Sequence, residues 1–308
     1  MKKFLIILLL LSSSYSYSQK IHTPEEILLI MSRSATKYHI EFLDKAIKCP
    51  DYSNHLNTND FYRVEENGNI KVYKYSLNEK AKNNFELAET FFLNKIFDSA
   101  LVYYIKTLEE DSTAYNALTY VGQCNGLMQK YDEAERIYKS VIDKNYIDYM
   151  AHWFLSDIYC IKKKWKDAAK EITIASVLNR NNPRILAKMS EIYKKANMKW
   201  NNFYFNPQYK LKDLGGTDSV QVLFDKTWMM YALVKAVWAF EYRYRESMED
   251  IKSDFSTTEE WESLANLYIG LERSDYDFED LPELAALENA IINKMPYSYI
   301  YYEIMLVK

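Results

Sequence analysis

The chain has 308 residues, a formal net charge of −4 at pH 7 and a hydrophobic share of 48%. A chain of this length can bury a substantial core. Its acidic balance excludes the broad electrostatic attraction to phosphates on which nucleic-acid binding depends. We therefore expect a folded protein with no nucleic-acid partner.

Residues 1–18 have the three-part layout of a secretory signal peptide. Two lysines precede a short apolar run from Phe4 to Leu11, and small polar residues follow from Ser12 to Ser18. The apolar run is too short for a bilayer, which requires about 20 residues. We predict cleavage before Gln19, which leaves a soluble exported chain, periplasmic or secreted, without stable membrane insertion. An uncut signal anchor is the alternative.

The next region, 19–79, is predicted to contain one helix and one β-hairpin. Thr23-Pro24-Glu25-Glu26 is a capping box with proline in the first turn, and it predicts a helix that continues towards Lys48. Asn67-Gly68 lies between two short apolar runs and predicts a tight hairpin turn. Because a two-stranded hairpin is marginally stable alone, we expect it to pack against a neighbour or to be mobile.

Residues 80–198 repeat with a period of 34 residues. A small residue, an aromatic residue and an alanine recur in phase. These positions are Ala88, Gly122 and Ser156; Phe97, Tyr131 and Trp165; and Ala100, Ala134 and Ala168. Each unit has the apolar spacing of two amphipathic helices. Such a pair leaves an apolar face open, so successive units must stack to bury it.

This pattern resembles the tetratricopeptide repeat (TPR) family, although the repeats are degenerate. The units are 81–114, 115–148, 149–182 and a partial unit, 183–198. The resemblance implies an all-α fold, a TPR-like solenoid of helical hairpins. The family's aromatic residue near the start of each unit is replaced here by Asn84, Leu118 and His152. A helical-hairpin array of another family is the alternative.

The last third of the chain is predicted to be an additional C-terminal helical region, 219–308. Residues 199–218 are rich in asparagine and aromatic residues and predict a linker or loop. Beyond them, the apolar pattern predicts one long or broken helix over Val220–Met248. Two further helices are expected to begin near Thr257 and Asp280, where capping residues precede apolar stretches.

No sequence pattern identifies a catalytic, cofactor or metal site. None of the four histidines stands in a ligand pair, and no glycine-rich phosphate loop or serine-nucleophile motif occurs. The acidic stretch Asp275–Asp280 lacks the closing glutamate of a calcium loop, since Ala286 stands there. The three cysteines are an odd number, so at least one thiol is free or pairs between chains. We expect no enzyme, cofactor or metal.

The family resemblance implies a concave groove lined by the first helix of each unit. The implied groove residues are Lys82, Phe85, Glu89, Phe92, Asn116, Thr119, Gln123, Met150, Trp153, Asp157, Arg184 and Glu191. Aromatic residues mixed with polar groups suit a protein or peptide partner, held by apolar contact and aligned by hydrogen bonds. Whether the groove is open or filled by the terminal helices of the chain is undecided at this point.

Three functions are compatible with the sequence. The first is a non-enzymatic interaction scaffold of the cell envelope that binds a protein or peptide in the groove. The first alternative is a glycan-binding or glycan-processing accessory protein, because the 28 tyrosines could present aromatic faces to sugar rings. The second alternative is an enzyme with a site in the C-terminal helical region, for which the sequence offers no positive sign.

Overall fold

The computed structural model describes residues 21–51, 59–200, 203–215, 218–248 and 256–305. The predicted signal peptide lies outside these ranges. The chain divides into two compact units. Of the described residues, we name 51 and 59–200 the solenoid unit, and 21–50 with those from 203 to 305 the terminal unit. None of the helices in the described part of the chain is long and apolar enough to cross a membrane.

The described residues form thirteen α-helices and five strands. In chain order they are α1 (Pro24–Arg33), β1 (Lys37–Phe42), β2 (Phe61–Glu66), β3 (Asn69–Lys74), α2 (Glu79–Leu93), α3 (Phe97–Glu110), α4 (Tyr115–Leu127), α5 (Tyr131–Lys144), α6 (Tyr149–Ile161), α7 (Trp165–Leu178), α8 (Pro183–Ala196), β4 (Tyr209–Asp213), β5 (Ser219–Phe224), α9 (Met229–Phe240), α10 (Tyr242–Ser247), α11 (Thr257–Arg273), α12 (Pro282–Ile292) and α13 (Pro296–Tyr299). Short 3-10 turns, Lys226–Trp228 and Phe278–Asp280, precede α9 and α12, and Ile300–Met305 continues α13 as a π-helix.

The solenoid unit has the predicted repeat architecture. Helices pack in the pairs α2/α3, α4/α5 and α6/α7, and the single helix α8 packs on α7. The second helices of the three pairs begin at Phe97, Tyr131 and Trp165, which are spaced by the 34 residues of the sequence period. The TPR-like helical-hairpin solenoid is therefore confirmed for this part of the chain.

Small residues in the first helices allow the second helices to approach closely. A Cβ atom added to Gly122 would lie 2.6 Å from Cε1 of Tyr138, on the second helix of the same pair. Ala88 and Ser156, at the equivalent positions of the neighbouring units, are fully buried. The ring of Tyr138 thus occupies the space that a larger side chain at position 122 would need, which explains the recurrence of small residues.

The hairpin predicted around Asn67-Gly68 is confirmed, and it packs on the loops of the solenoid unit. Strands β2 and β3 are antiparallel. The backbone N–H of Arg63 donates to Oδ1 of Asn145 at 3.0 Å, and Nδ2 of Asn145 donates to the Tyr75 hydroxyl at 3.2 Å. The ring of Tyr62 lies 5.6 Å from that of Tyr115. These contacts supply the neighbour that an isolated hairpin lacks.

The terminal unit contains a three-stranded mixed sheet that the sequence analysis missed. Strand β5 is central, β1 pairs with it in parallel, and β4 pairs with it antiparallel. The parallel register runs from Lys37 opposite Ser219 to Phe42 opposite Phe224. The range predicted as a linker, 199–218, contains β4. The terminal unit is therefore helical with a small sheet, whereas the chain as a whole is mostly helical.

Two predicted helices were wrong in extent. The helix that begins at the Thr23 capping box ends at Arg33 and does not continue towards Lys48, because the next residues form β1. The box itself is confirmed, since Thr23 and Glu26 exchange hydrogen bonds. The helix predicted over Val220–Met248 begins at Met229, because Ser219–Phe224 is the central strand. In both cases, pairing between distant segments overrides the local helical pattern.

The helices of the terminal unit pack around a large aromatic core. Trp228 and Tyr231, at the start of α9, lie among Leu264 and Tyr268 of α11. Helix α11 begins at Thr257, and the side chain of Ser256 accepts a hydrogen bond from its first turn. The start of α11 therefore agrees with the sequence, but the capping residue is one position earlier than predicted.

Candidate functional site

The predicted groove residues all lie on α2, α4, α6 and α8, the first helices of the repeat units. Lys82, Arg184 and Glu191 are exposed, whereas Thr119 is fully buried. The others are partly buried: Phe85, Glu89, Phe92, Asn116, Gln123, Met150, Trp153 and Asp157. The contacts of these side chains decide which of them are available to a partner.

The aromatic residues of α2 are used in packing between the first two units. The ring of Phe85 lies edge-on to Tyr104 and Tyr120, at 5.6 and 5.9 Å, and Phe92 makes similar contacts. Tyr104 and Tyr120 stack at 5.1 Å, and the Tyr104 hydroxyl donates to the Glu89 carboxylate. Burial raises the pKa of Tyr104, and the hydrogen bond to Glu89 adds to this shift. Phe85 and Phe92 therefore stabilise the stack of repeats.

The prediction that Thr119 lines the groove was wrong. Its hydroxyl donates to Oδ2 of Asp148 at 2.7 Å, and both side chains are fully buried. The other oxygen of Asp148 accepts the backbone N–H groups of Met150 and Ala151 and so caps α6. Burial raises the pKa of Asp148, although these hydrogen bonds oppose the shift. Thr119 therefore satisfies a buried helix cap and has no exposed surface for a ligand.

The β-hairpin segment covers the neighbourhood of another predicted groove residue, Asn116. The hydroxyl of Tyr75 hydrogen-bonds with the backbone of Asn116 as well as with Asn145, and burial raises the pKa of this tyrosine. Asn59 hydrogen-bonds with Asp148 nearby. Within the solenoid unit, the start of α4 is thus contacted by the segment that precedes the repeats.

A row of polar side chains crosses the four first helices at the same repeat position. Glu89, Gln123, Asp157 and Glu191 follow one another at steps of 34 residues. The row contains three carboxylates and one amide, so its character is acidic. Trp153 lies one helical turn before Asp157 on α6 and stacks on Phe154 at 5.7 Å. We take the last three residues of this row, Gln123, Asp157 and Glu191, together with the neighbouring Trp153, and name these four residues the central row.

Some polar atoms of the central row keep hydrogen-bonding capacity that packing within the solenoid unit does not use. The Oε1 atom of Gln123 is buried and has no hydrogen-bond partner among the described residues. Asp157 forms an ion pair with Lys188 at 2.9 Å, a residue of α8 that the sequence analysis did not select. Burial raises the pKa of Asp157, and Lys188 opposes the shift while Glu191 adds to it. An acidic, partly dehydrated face of this kind favours a cationic or hydrogen-bond-donating partner.

The terminal unit holds a buried ion cluster that the sequence analysis also missed. Lys235 of α9 donates to Glu260 at 2.7 Å and to Glu259 at 3.0 Å, both on α11. The Tyr231 hydroxyl also donates to Glu260. Burial alone would lower the pKa of Lys235, but the two carboxylates raise it. Glu260 precedes Leu264 by one turn and therefore lies on the apolar face of α11, which is the signal that the sequence offered.

A second buried carboxylate, Glu262, joins the start of the described chain to α9, α10 and α11. Its Oε2 accepts from Nε1 of Trp238 and from the Tyr244 hydroxyl, both at 2.6 Å. Its Oε1 accepts the backbone N–H of His22 at 2.6 Å. Burial raises the pKa of Tyr244, and Glu262 adds to the shift. Glu260 and Glu262 have no exposed surface, so in this conformation they hold helices together and do not meet a substrate.

The described residues contain no group of three or more histidine, cysteine, aspartate or glutamate side chains that could hold a metal ion. The three cysteines form no disulfide, and Cys124 is buried. Burial raises the pKa of the Cys124 thiol to about 12, and Glu89 and Asp98 add to this shift. A thiol with such a pKa is protonated at neutral pH and is a poor nucleophile.

Solved structures resemble part of the chain. They include the first TPR domain of human RPAP3 (18% identity, TM-score 0.37), the Arabidopsis OM64 TPR domain (14%, 0.36) and the Yersinia enterocolitica type III secretion chaperone SycD in complex with a peptide of the translocator YopD (14%, 0.35). Each match covers 38–39% of this chain and 92–96% of the other chain. No protein-family model and no curated protein matches the chain.

Proposed function

We propose that the chain is a non-enzymatic scaffold of the cell envelope whose solenoid unit binds an extended segment of a partner protein. The observation that carries the proposal is the central row, in which Gln123, Asp157 and Glu191 place polar groups at one repeat position of consecutive first helices. Stacked repeats present such groups as a continuous line, and an extended segment can follow a line of repeated groups with successive side chains.

The chemistry of the central row favours a partner segment with basic side chains next to an apolar one. Glu191 is exposed, and Asp157 is partly exposed beside Lys188. Trp153 is partly exposed and offers an aromatic surface close to these carboxylates. Arginine and lysine side chains combine attraction to carboxylates with stacking on aromatic rings. A neutral or acidic segment would leave the carboxylates without compensation.

The envelope location rests on residues 1–18, whose composition is typical of a signal peptide. We expect the exported product to begin at Gln19. N-terminal sequencing of the protein from the envelope fraction tests this point. A product that begins at Met1 would contradict signal cleavage.

The binding function can be tested with the mature chain, residues 19–308, as bait in envelope extract from its own organism. We expect a stoichiometric partner that the wild type retains and that Trp153→Ala loses. The matched control is Val177→Ala on α7, an exposed position outside the central row. Peptides from the partner should bind Trp153→Ala at least about tenfold more weakly than wild type.

Thermal unfolding of Trp153→Ala must show that the variant is folded. A partner that both variants retain equally would contradict the central row as the binding site. If instead no protein binds and the chain retains sugars on an oligosaccharide panel, the glycan-binding alternative replaces the scaffold.

A further inference from the structure

The sheet of the terminal unit has two edge strands, β1 and β4, which differ in how they meet solvent. Strand β4 has five residues and carries two exposed lysines, Lys210 and Lys212, a common protection of a strand edge against pairing. Strand β1 has six residues, five of them exposed, and these include Ile40 and Phe42 at 51% and 67%. It has neither a proline nor a bulge, since its six residues pair one to one with β5. Strand β1 is therefore the less protected edge.

The backbone of β1 presents a row of hydrogen-bonding groups on the side away from β5. The N–H groups of Lys37 and Leu43 donate to carbonyl oxygens on the β5 side, at 2.8 and 3.0 Å. Because backbone groups alternate in direction along a strand, the N–H and C=O groups of Tyr38, Ile40 and Phe42 point the other way. Among the described strands, β5 is the one that pairs with β1. The outward groups are therefore available to a further strand.

One face of this edge is apolar. Ile40 and Phe42 lie on the core face of the sheet, beside Val222 and Phe224 of β5, which are buried. The ring of Phe42 meets that of Phe224 edge-on at 5.8 Å. The side chains of Ile40 and Phe42 nevertheless remain mostly exposed. A strand added at this edge would cover them with its own apolar side chains.

The opposite face of β1 carries a charge pattern that is complementary to itself. Lys37, His39 and Glu41 alternate on this face, and all three are exposed. When two copies of β1 run antiparallel about a two-fold axis at His39, Lys37 of each copy lies opposite Glu41 of the other. Glu41 accepts a hydrogen bond from Gln221 at 3.0 Å, and a carboxylate has capacity for further donors. The sequence of β1 thus favours one register, with two opposite-charge pairs.

The same register matches the direction of the backbone groups. It places Tyr38 opposite Ile40 of the second copy, and both residues point their backbone groups outward. Each such pair can therefore exchange N–H···O bonds in both directions. Lys37 and Glu41 then fall in the non-hydrogen-bonded pairs, in which facing side chains lie closer together. Charge, backbone pattern and the apolar face agree on one pairing.

We infer that β1 pairs antiparallel with β1 of a second copy of the chain, in the register centred on His39, and so joins two three-stranded sheets into one. This inference concerns the terminal unit and does not rest on the function proposed for the solenoid unit. Six residues on each side are far fewer than the roughly 20–30 of a standard interface. We therefore expect a reversible dimer with a Kd of about 1–100 μM.

Sedimentation velocity of the mature chain, residues 19–308, over concentrations that bracket this Kd tests the dimer. We expect the weight-average sedimentation coefficient to rise from the monomer value towards that of a dimer. Lys37→Glu creates two like-charge pairs across the axis and should raise the Kd at least about tenfold. Lys37→Glu/Glu41→Lys restores opposite charges and should recover the Kd to within about threefold of the wild type. The matched control, Lys210→Glu, makes the same charge change on β4 and should leave the Kd unchanged.

Disulfide crosslinking tests the register. In a Cys49→Ser background, His39→Cys places two thiols in a non-hydrogen-bonded pair on the axis, with Cα atoms about 4.5 Å apart, within reach of a disulfide. The matched control is Glu41→Cys, on the same face of the same strand. Its two copies lie four residues apart along the strands, about 13 Å. We expect a disulfide-linked dimer from His39→Cys and none from Glu41→Cys on a non-reducing gel.

Three results would overturn the inference. The first is a monomer at every concentration, which would leave the β1 edge for a strand of another protein. The second is a dimer to which Lys37→Glu and Lys210→Glu do equal damage. The third is crosslinking at position 39 that is no greater than at position 41.

Discussion

The two units of the chain differ in where their lysine–carboxylate ion pairs lie. In the solenoid unit, ion pairs such as that of Glu135 with Lys162 lie at the surface, and the interior of each helix pair is filled by small and aromatic side chains. In the terminal unit, Lys235, Glu260 and Glu262 lie in the core. The solenoid unit is therefore stabilised by packing that repeats along the sequence, whereas the terminal unit depends on polar contacts between distant segments.

The variant Lys235→Met tests this difference between the units with the largest expected effect. The variant leaves the buried Glu260 carboxylate without its cation, and we expect it to lower the free energy of unfolding by about 3–5 kcal/mol. Urea unfolding measures the loss. The control, Lys235→Met/Glu260→Gln, removes both charges and keeps an acceptor for Tyr231, so it should recover most of that stability. A loss below about 1 kcal/mol in Lys235→Met would show that the cluster behaves like a surface ion pair.

The packing of the solenoid unit can be tested with two glycines of the same helix, α4. Gly122→Ala places a methyl group against the ring of Tyr138 and should cost about 1–3 kcal/mol of unfolding free energy. Gly126→Ala meets its nearest neighbour, Ile158, at 3.8 Å and should stabilise the unit by up to about 1 kcal/mol through helix propensity. Opposite signs in thermal unfolding support the close approach. Equal effects would contradict it.

The repeats and the hairpin were predictable because their signals are local or periodic. Asn67-Gly68 fixes a turn between adjacent strands, and small residues at Ala88, Gly122 and Ser156 recur where helices touch. The pairing of β1 with β5 was not predictable in this way, because it joins Lys37–Phe42 to a strand about 180 residues later. The alternating residues of Ser219–Phe224 were the local signal that could have corrected the helix prediction.

The docking of the hairpin on the solenoid unit can be tested with Asn145→Ala. This variant removes two hydrogen bonds, to Arg63 and Tyr75, and we expect it to cost about 1–2 kcal/mol of unfolding free energy. Hydrogen exchange in β2 and β3 should also become faster. The control is Asn94→Ala, because Asn94 is exposed and bonds with its own helix. Unchanged exchange in the hairpin would contradict the docking.

The helices that carry the candidate site could be predicted from the sequence, but the contacts of its individual residues could not. The period placed the central row on the first helices, since it assigns each residue a repeat position. It could not reveal that Thr119 satisfies the buried Asp148, because that bond depends on how the next unit packs.

The smallest expected effect concerns the surface ion pairs of the solenoid unit. Hydrogen bonds from Lys139 and Lys162 lower the pKa of Glu135 from 4.5 to about 2. Because the folded-state pKa is depressed, the stabilisation is present above pH 4.5 and is lost as the pH falls towards 2. Glu135→Gln should therefore cost about 0.5 kcal/mol at pH 7 and almost nothing near pH 2. A cost independent of pH, measured by urea unfolding, would contradict the charge assignment.

Photocrosslinking tests the central claim, that the first-helix face of the solenoid unit binds a partner segment, most directly. A benzophenone amino acid replaces Trp153 in one form of the mature chain and Val177 in another, and each is irradiated in envelope extract. We predict one adduct of defined mass from position 153 and none from position 177. Adducts from position 177 alone, or equal adducts from both positions, would contradict the account.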